Sequence, residues 1–184
     1  MQPGEWTSPL SAAIVAEAGI SVSWPQFVGD DIWWVESRPA ESGRRVIVSQ
    51  SHGDLIKAPF SASHAVHEMG GRSYLGISEG NSYRIYFSNK NDQRIYLQVG
   101  SSEPRPLTPD TGTQDRYAEF VKVKDGIWCV REQVTEHSCK RQLVEVNDQG
   151  DIRVLMEGHQ FFAHPRISPD GKKLTWISFR PNWV

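Results

Sequence analysis

The sequence predicts an all-β fold: a partial β-propeller of about three to four blades, each a four-stranded antiparallel sheet, with a short N-terminal helix. Two observations predict this fold. Short apolar and aromatic strands recur at a spacing of roughly 40–55 residues, which is typical of propeller blades. Tight turns divide each repeat into about four strands, whereas a β-sandwich gives no reason for such a repeat. The recurring strands lie at 32–35, 85–87, 127–130 and 174–178.

The first predicted element is a helix at residues 8–19, the one convincing helical pattern in the chain. Ser8 can cap it, Pro9 suits its first position, and Gly19 suits its exit. From residue 20 onwards the pattern changes to alternation of apolar and polar residues, which indicates strands.

The strands group into four blade-like repeats of one domain. We expect the repeats at roughly 20–60, 64–108, 114–156 and 160–184, the last of them incomplete. Glycine-containing turns separate the strands within each repeat. These turns lie at Gly29, Gly43 and Gly53, then Gly80 and Gly100, then Gly126 and Gly150, and finally Gly171.

Length and charge exclude several classes of protein. The chain has 184 residues, 38% of them hydrophobic, and a formal net charge of −2. No apolar run approaches the ~20 residues that a membrane-spanning helix needs, and the N-terminus has no signal-peptide pattern. A slightly acidic chain offers no electrostatic basis for binding nucleic acid or an anionic membrane. We therefore expect a cytoplasmic protein with neither of these partners.

The sequence contains two cysteines, Cys129 and Cys139, on either side of a predicted hairpin loop. A disulfide is conceivable, but free thiols are expected in a reducing compartment. His137 and Cys139 could suggest a metal, yet two candidates fall short of the usual four ligands of structural zinc. We expect no metal and no cofactor.

The pattern Gly76-x-Ser78-x-Gly80 matches the nucleophile elbow of serine hydrolases. That elbow requires a strand, a sharp turn and then a helix, and here a second strand follows. We therefore interpret Ser78 as a hairpin residue. Without a nucleophile, catalytic bases have no role, so local hydrogen bonding is the expected role of the candidate histidines His64, His67, His159 and His164.

A series of charged motifs follows in a specific order along the chain. Its members are Glu36-x-Arg38-Pro39, His67-Glu68-x-Gly70-Gly71, Asp92-Gln93-Arg94, Arg131-Glu132 and Ser168-Pro169-Asp170-Gly171. Together they resemble the N-terminal propeller of prolyl-oligopeptidase-family serine peptidases, in the acylaminoacyl-peptidase and dipeptidyl-aminopeptidase-like branch. The chain departs from that pattern at Met69, where relatives have tyrosine, and after Phe179.

The resemblance implies that the chain stops before the catalytic α/β-hydrolase domain, so that it is not an enzyme by itself. In the parent enzyme the propeller would gate access or filter substrates, with a peptide substrate and the hydrolase domain as its partners. The open propeller edge would also allow self-association. The alternative is a free-standing propeller-like module for protein interaction or scaffolding.

Charged residues at strand ends are the candidate site residues. They could face the substrate or the hydrolase domain, or they could form an ion-pair network that fixes the turns. The candidates are Glu36, Arg38, Arg44, Glu68, Asp92, Arg94, Arg131 and Glu132.

Overall fold

The computed structural model describes residues 19–68, 70–158 and 161–179. The predicted helix at 8–19 lies outside the described residues except for Gly19, which belongs to no helix or strand. Within the described part there is no α-helix; Pro39–Glu41 forms a short 3-10 turn, and Val66–Glu68 forms a turn in which His67 has a positive φ of 58°. The prediction of an all-β fold is therefore confirmed for these residues.

The strands form three sheets of four strands and a final hairpin, which resemble propeller blades. The first sheet contains β1 (Ser21–Val28), β2 (Asp31–Arg38), β3 (Arg44–Ser49) and β4 (Gly53–Asp54). The second contains β5 (Tyr74–Glu79), β6 (Ser82–Ser88), β7 (Ile95–Val99) and β8 (Arg105–Pro106). The third contains β9 (Asp115–Val123), β10 (Gly126–Val134), β11 (Cys139–Asn147) and β12 (Ile152–Glu157). The hairpin pairs β13 (Phe161–Ile167) with β14 (Leu174–Phe179).

Every sheet is an antiparallel meander in which neighbours in sequence are neighbours in space. Tight turns impose this order because a two-residue turn brings the two strands that it joins into antiparallel pairing. Glu79 pairs with Ser82 across the Gly80-Asn81 turn, and Val123 pairs with Gly126. The turns predicted from glycine therefore set the local topology.

Successive sheets place their first strands side by side, and we call these four strands the inner strands. The Gln26 amide donates to the Gly76 carbonyl at 3.1 Å, and the Tyr74 hydroxyl donates to the Trp24 carbonyl at 3.0 Å. Because residues 24 and 26 meet 74 and 76 in that order, β1 and β5 run in the same direction. The connections between the second and third strands therefore lie at the same end of all three sheets, which we call the loop end. These connections are residues 39–43, 89–94 and 135–138.

The apolar core lies between successive sheets. One cluster joins the first sheet to the second through Trp33, Val35, Tyr74 and Phe87, all of them buried. Similar clusters join the second sheet to the third and the third sheet to the hairpin. Each sheet thus buries apolar residues against its neighbour, which is how stacked blades form a continuous core.

Three inner strands contain a β-bulge that the sequence analysis did not predict. Trp24, Glu119 and His164 have positive φ values of 54°, 60° and 49° at the register shifts of β1, β9 and β13. A bulge redirects a side chain that would otherwise follow the strand alternation. All three bulged residues border one cavity, described below.

Candidate functional site

All eight predicted site residues lie at or near the loop end, but the structure separates them into distinct groups. Six flank or occupy the connections between second and third strands of their sheets. Glu68 lies in the connection between β4 and β5, which contacts the start of β9 through a 3.2 Å hydrogen bond from Arg116 to the Ala65 carbonyl. Arg131 lies three residues before the end of β10.

The first group is centred on Arg38, whose guanidinium contacts three carboxylates of the first sheet. It lies 2.7 Å from Glu36, 2.6 Å from Asp54 and 3.3 Å from Glu41. The Asp54 hydrogen bond is the largest contribution that raises the pKa of Arg38. Glu36 also accepts a 3.0 Å hydrogen bond from the Trp34 indole. These contacts join β2 to β4 and to the turn between β2 and β3 at the loop end.

Arg44 belongs to the same group and shares the Glu41 carboxylate with Arg38. Its Nε lies 2.5 Å from Glu41, and its Nη1 donates to the carbonyls of Ile56 and Phe60 at 3.4 Å each. The side chain therefore anchors the start of the β4–β5 connection to β3. The Arg38 and Arg44 contacts all stay within the first sheet and its following connection.

The second group fixes the β6–β7 connection. The Asp92 carboxylate accepts hydrogen bonds from the Asn89 amide at 3.1 Å and the Tyr96 hydroxyl at 2.7 Å. Burial and the Asp92 hydrogen bond raise the pKa of Tyr96 to about 12. Arg94 donates through Nε to the Thr108 carbonyl at 2.7 Å. Both candidates here hold the turn in place rather than projecting freely into solvent.

The third group is centred on Glu132, which is 2% exposed. Its Oε1 lies 2.6 Å from Arg141 Nε, and its Oε2 accepts a 2.9 Å hydrogen bond from the His67 amide. The Arg141 guanidinium lies 4.2 Å from the centre of the Phe161 ring on β13. Glu132 therefore connects the third sheet with the β4–β5 connection and, through Arg141, with the hairpin.

Arg131 does not pair with Glu132, although they are neighbours in sequence. Successive residues of a strand point to opposite faces of the sheet. Arg131 accordingly donates to the Gln142 side-chain carbonyl and lies 3.8 Å from Asp115. Glu68, by contrast, has an 82% exposed side chain and lies 3.7 Å from Arg116. Among the eight candidates, it is the glutamate that projects into solvent.

A cavity of ≈ 250 Å³ lies between the inner strands and the β4–β5 connection, and we call it the inner cavity. The bulged residues Trp24, Glu119 and His164 border it together with His64 and Gly71. The sequence analysis did not select the bulged residues as site residues. The dipeptides Trp24-Pro25 and His164-Pro165 were an available signal, because proline within a strand favours a bulge, but no such signal marks Glu119.

Glu119 organises the inner cavity. Its Oε1 accepts a 2.9 Å hydrogen bond from the Arg72 amide, and its Oε2 lies 3.5 Å from His164 Nδ1. Burial is the main cause that lowers the pKa of His64, and burial also lowers the pKa of His67 in the same connection. The cavity thus combines a buried carboxylate, imidazoles and an indole.

The structure also shows where Ser78 and the two cysteines lie. Ser78 lies on β5 and is followed by the turn into β6, so its interpretation as a hairpin residue is confirmed. Cys129 and Cys139 are both free, the first buried and the second exposed. No cluster of three potential metal-binding side chains and no helix suited to crossing a membrane occurs among the described residues.

No protein-family model matches the chain, and no curated protein matches it either. Solved structures do match. A puromycin-hydrolyzing peptidase of Mycobacterium tuberculosis is 36% identical, with a TM-score of 0.85 over 96% of this chain and 30% of that chain. This chain is related to the puromycin-hydrolysing peptidases of the prolyl-oligopeptidase family.

A second solved relative gives the same result. A puromycin hydrolase is 31% identical, with a TM-score of 0.84 over 95% of this chain and 30% of that chain. The resemblance predicted from the motifs is thereby confirmed. The chain spans about 30% of the length of these relatives, and its described residues, which contain no α-helix, include no α/β-hydrolase domain.

Proposed function

We propose that this chain is the propeller part of a prolyl-oligopeptidase-type serine peptidase, where it gates or filters peptide substrates on their way to a hydrolase domain. The observation that carries the proposal is the match to a puromycin-hydrolyzing peptidase over 96% of the chain. The hydrolase domain and its peptide substrate are the proposed partners, and the cytoplasm is the proposed compartment.

The arrangement of charged groups supports this role. The candidate residues lie at or near the loop end, and the β4–β5 connection at that end also borders the inner cavity. Arg38, Asp92 and Glu132 are held by several hydrogen bonds each. Groups held in this way fix the shape of the connections, and binding residues often lie on such connections. Glu68 is exposed and is the candidate best placed to meet a substrate or a neighbouring domain.

Catalysis is assigned to residues outside the described part. A serine triad needs a nucleophile, a base and an orienting carboxylate in one geometry. Ser78 lies in a hairpin, where no helix N-terminus can assist an oxyanion. We expect a fluorophosphonate probe to leave the chain unlabelled, and Ser78→Ala to change nothing.

The decisive experiment begins with the coding sequence beyond residue 184. If it encodes a hydrolase domain, the complete protein should hydrolyse aminoacyl chromogenic substrates and short peptides. Glu68→Gln should change KM for peptides more than for the small chromogenic substrate, because only peptides reach the loop end. Arg153→Gln is the control, since Arg153 pairs with Glu145 at an exposed site on the outer strands.

Two results would contradict the proposal. One is a reading frame that ends at residue 184 in a cell where no hydrolase subunit co-purifies with the chain. That result would favour the free-standing interaction or scaffold module. The other is labelling of Ser78 by the probe together with turnover that Ser78→Ala abolishes, which would make the chain itself a hydrolase.

A further inference from the structure

A cavity of ≈ 300 Å³ near the loop end is bordered by two arginines, and we call it the arginine cavity. Arg116 and Arg141 border it together with Glu68, Glu132 and Phe161. Glu132 pairs with Arg116 across β9 and β10, and with Arg141 across β10 and β11. Because directly opposite residues of antiparallel strands share one face of a sheet, both arginines project from the face of the third sheet that carries Glu132.

The Arg141 guanidinium is held in place by only part of its binding capacity. Its Nε lies 2.6 Å from Glu132 Oε1, and its central carbon lies 4.2 Å from the centre of the Phe161 ring. In the described part of the chain, no hydrogen bond engages its two terminal nitrogens. A guanidinium has five N–H donors, so four of those on Arg141 remain for a ligand in the cavity.

The Arg116 guanidinium is anchored from the other side of the cavity. Its Nη1 donates to the Ala65 carbonyl of the β4–β5 connection at 3.2 Å. Its Nε and Nη2 form no hydrogen bond with any residue that the structure describes. The side chains of Arg116 and Arg141 are each 20% exposed. Both cations are therefore positioned before a ligand arrives, which lowers the entropy cost of binding, and both remain accessible.

The two carboxylates that border the cavity do not use up these donors. Glu132 is 2% exposed, and each of its oxygens already has a donor, Arg141 Nε or the His67 amide. Glu68 is 82% exposed, and its oxygen lies 3.7 Å from Arg116 Nη1, which is too far for a hydrogen bond. The unused binding capacity of the cavity thus consists mainly of charged N–H groups, which favours an anion over a cation.

A carboxylate is the anion that suits this arrangement. Its two oxygens match the planar fork of N–H groups on a guanidinium. Val134 borders the same cavity and offers an apolar surface to the methylene groups that adjoin a carboxylate. A volume of ≈ 300 Å³ is at the lower end of the range for ligand pockets, so it suits one or two residues of a peptide.

We propose that Arg116 and Arg141 together bind a peptide carboxylate in the arginine cavity. An acidic side chain and a C-terminus present the same chemistry to the two guanidinium groups. That the ligand is a peptide rests on the proposed function. The carboxylate site itself rests on the two positioned arginines and stands without that function.

The test follows the Nε–H resonances of Arg116 and Arg141 by NMR in the ¹⁵N-labelled chain. Two pairs of peptides are titrated, and within each pair only the carboxylate is replaced by an amide. The first pair is acetyl-Ala-Glu-Ala-amide and acetyl-Ala-Gln-Ala-amide, and the second is acetyl-trialanine with a free or an amidated C-terminus. At least one carboxylate peptide should shift the resonances saturably, and its matched amide should bind about tenfold more weakly or not at all. The carboxylate peptide that binds more tightly identifies the source of the carboxylate.

Variants separate the site from unspecific effects. Arg116→Gln should weaken the binding of the carboxylate peptide about tenfold, since it removes one of the two cations. Glu68→Gln should strengthen the binding several-fold, because it removes a carboxylate that competes for Arg116. Arg153→Gln is the control and should bind as the unmodified chain does, since Arg153 is 69% exposed and pairs with Glu145. The matched peptides already decide the question on the unmodified chain, so the test remains decisive if a variant fails to fold.

Equal binding within both pairs of peptides would overturn the proposal, as would Arg116 and Arg141 resonances that do not move. Tighter binding of acetyl-Ala-Lys-Ala-amide would also overturn it, because the glutamates would then dominate the cavity. Carboxylate binding in a chain that proves to have no hydrolase partner would contradict the proposed function and leave this site intact. Peptide cleavage by the complete protein, together with equal binding within both pairs, would do the reverse.

Discussion

The buried Glu132 of β10 forms an ion pair with Arg141 of β11 at 2.6 Å, and the same arginine lies over the Phe161 ring of the hairpin. One carboxylate thus helps to dock the last two strands onto the third sheet. Its second oxygen accepts the His67 amide of the β4–β5 connection.

We expect Glu132→Ala to lower the free energy of unfolding by about 2 kcal/mol, because it leaves Arg141 and the His67 amide without their acceptor. Urea denaturation followed by tryptophan fluorescence measures the change. Glu68→Ala is the matched control: that glutamate is 82% exposed, so its loss should cost no more than about 0.5 kcal/mol. Equal effects of the two variants would show that Glu132 does not connect these elements.

We expect Gly76→Ala to destabilise the chain by about 1–3 kcal/mol through overpacking. A Cβ at Gly76 would lie 2.5 Å from two ring atoms of Trp33 and 2.8 Å from Val28. The clash would push the first two sheets apart. Thermal unfolding measures the effect, and Gly19→Ala is the control, because no atom of the described residues beyond its chain neighbours lies within 4 Å of its added Cβ. A Gly76→Ala protein as stable as the Gly19→Ala protein would contradict this packing.

We expect the stability of the chain to fall as the pH drops below about 6.5. Burial lowers the pKa of His64 from its usual 6.5 and also lowers that of His67. Because the unfolded chain binds these protons more readily, the stability is full above the unfolded pKa and is lost as the pH falls toward the folded pKa. The Glu119 and Glu132 carboxylates nearby oppose the effect but do not reverse it.

The urea concentration at the midpoint of unfolding, determined between about pH 7.5 and pH 5, measures this dependence. Most carboxylates titrate below this pH range. His64→Gln should flatten the curve. His137→Gln should leave it unchanged, since that side chain is 93% exposed. A flat curve for the unmodified chain would mean that His64 and His67 are solvated in the folded state.

We expect the chain to self-associate through β14. In the described part of the chain, β14 pairs with β13 alone, and Ile177 and Phe179 on it are 54% and 45% exposed. An unpaired apolar edge strand pairs readily with other chains. Sedimentation velocity should show concentration-dependent species, and Ile177→Lys should shift them toward the monomer, because a charge on an edge strand opposes pairing.

Val99→Lys is the control for this experiment, because Val99 is 44% exposed but lies on β7, which is paired on both sides. A strictly monomeric chain with a cooperative transition at high temperature would contradict the expectation and would favour the self-contained module.

The sequence by itself determined the local structure of this protein. Turns such as Gly80-Asn81 follow from backbone preferences that act over a few residues, so the meander order of each sheet could be predicted. The repeat spacing and the charged motifs led to the family, which the solved relatives support. The strand pattern that follows Gly80 likewise identified Ser78 as a hairpin residue.

The tertiary structure alone decided which charges meet. Arg131 and Glu132 are neighbours in the sequence, yet strand alternation sends them to Gln142 and Arg141 respectively. Trp24, Glu119 and His164 lie far apart in the chain and border one cavity. Such contacts depend on how the sheets stack, and that stacking arises from apolar burial summed over many residues, which no short motif encodes.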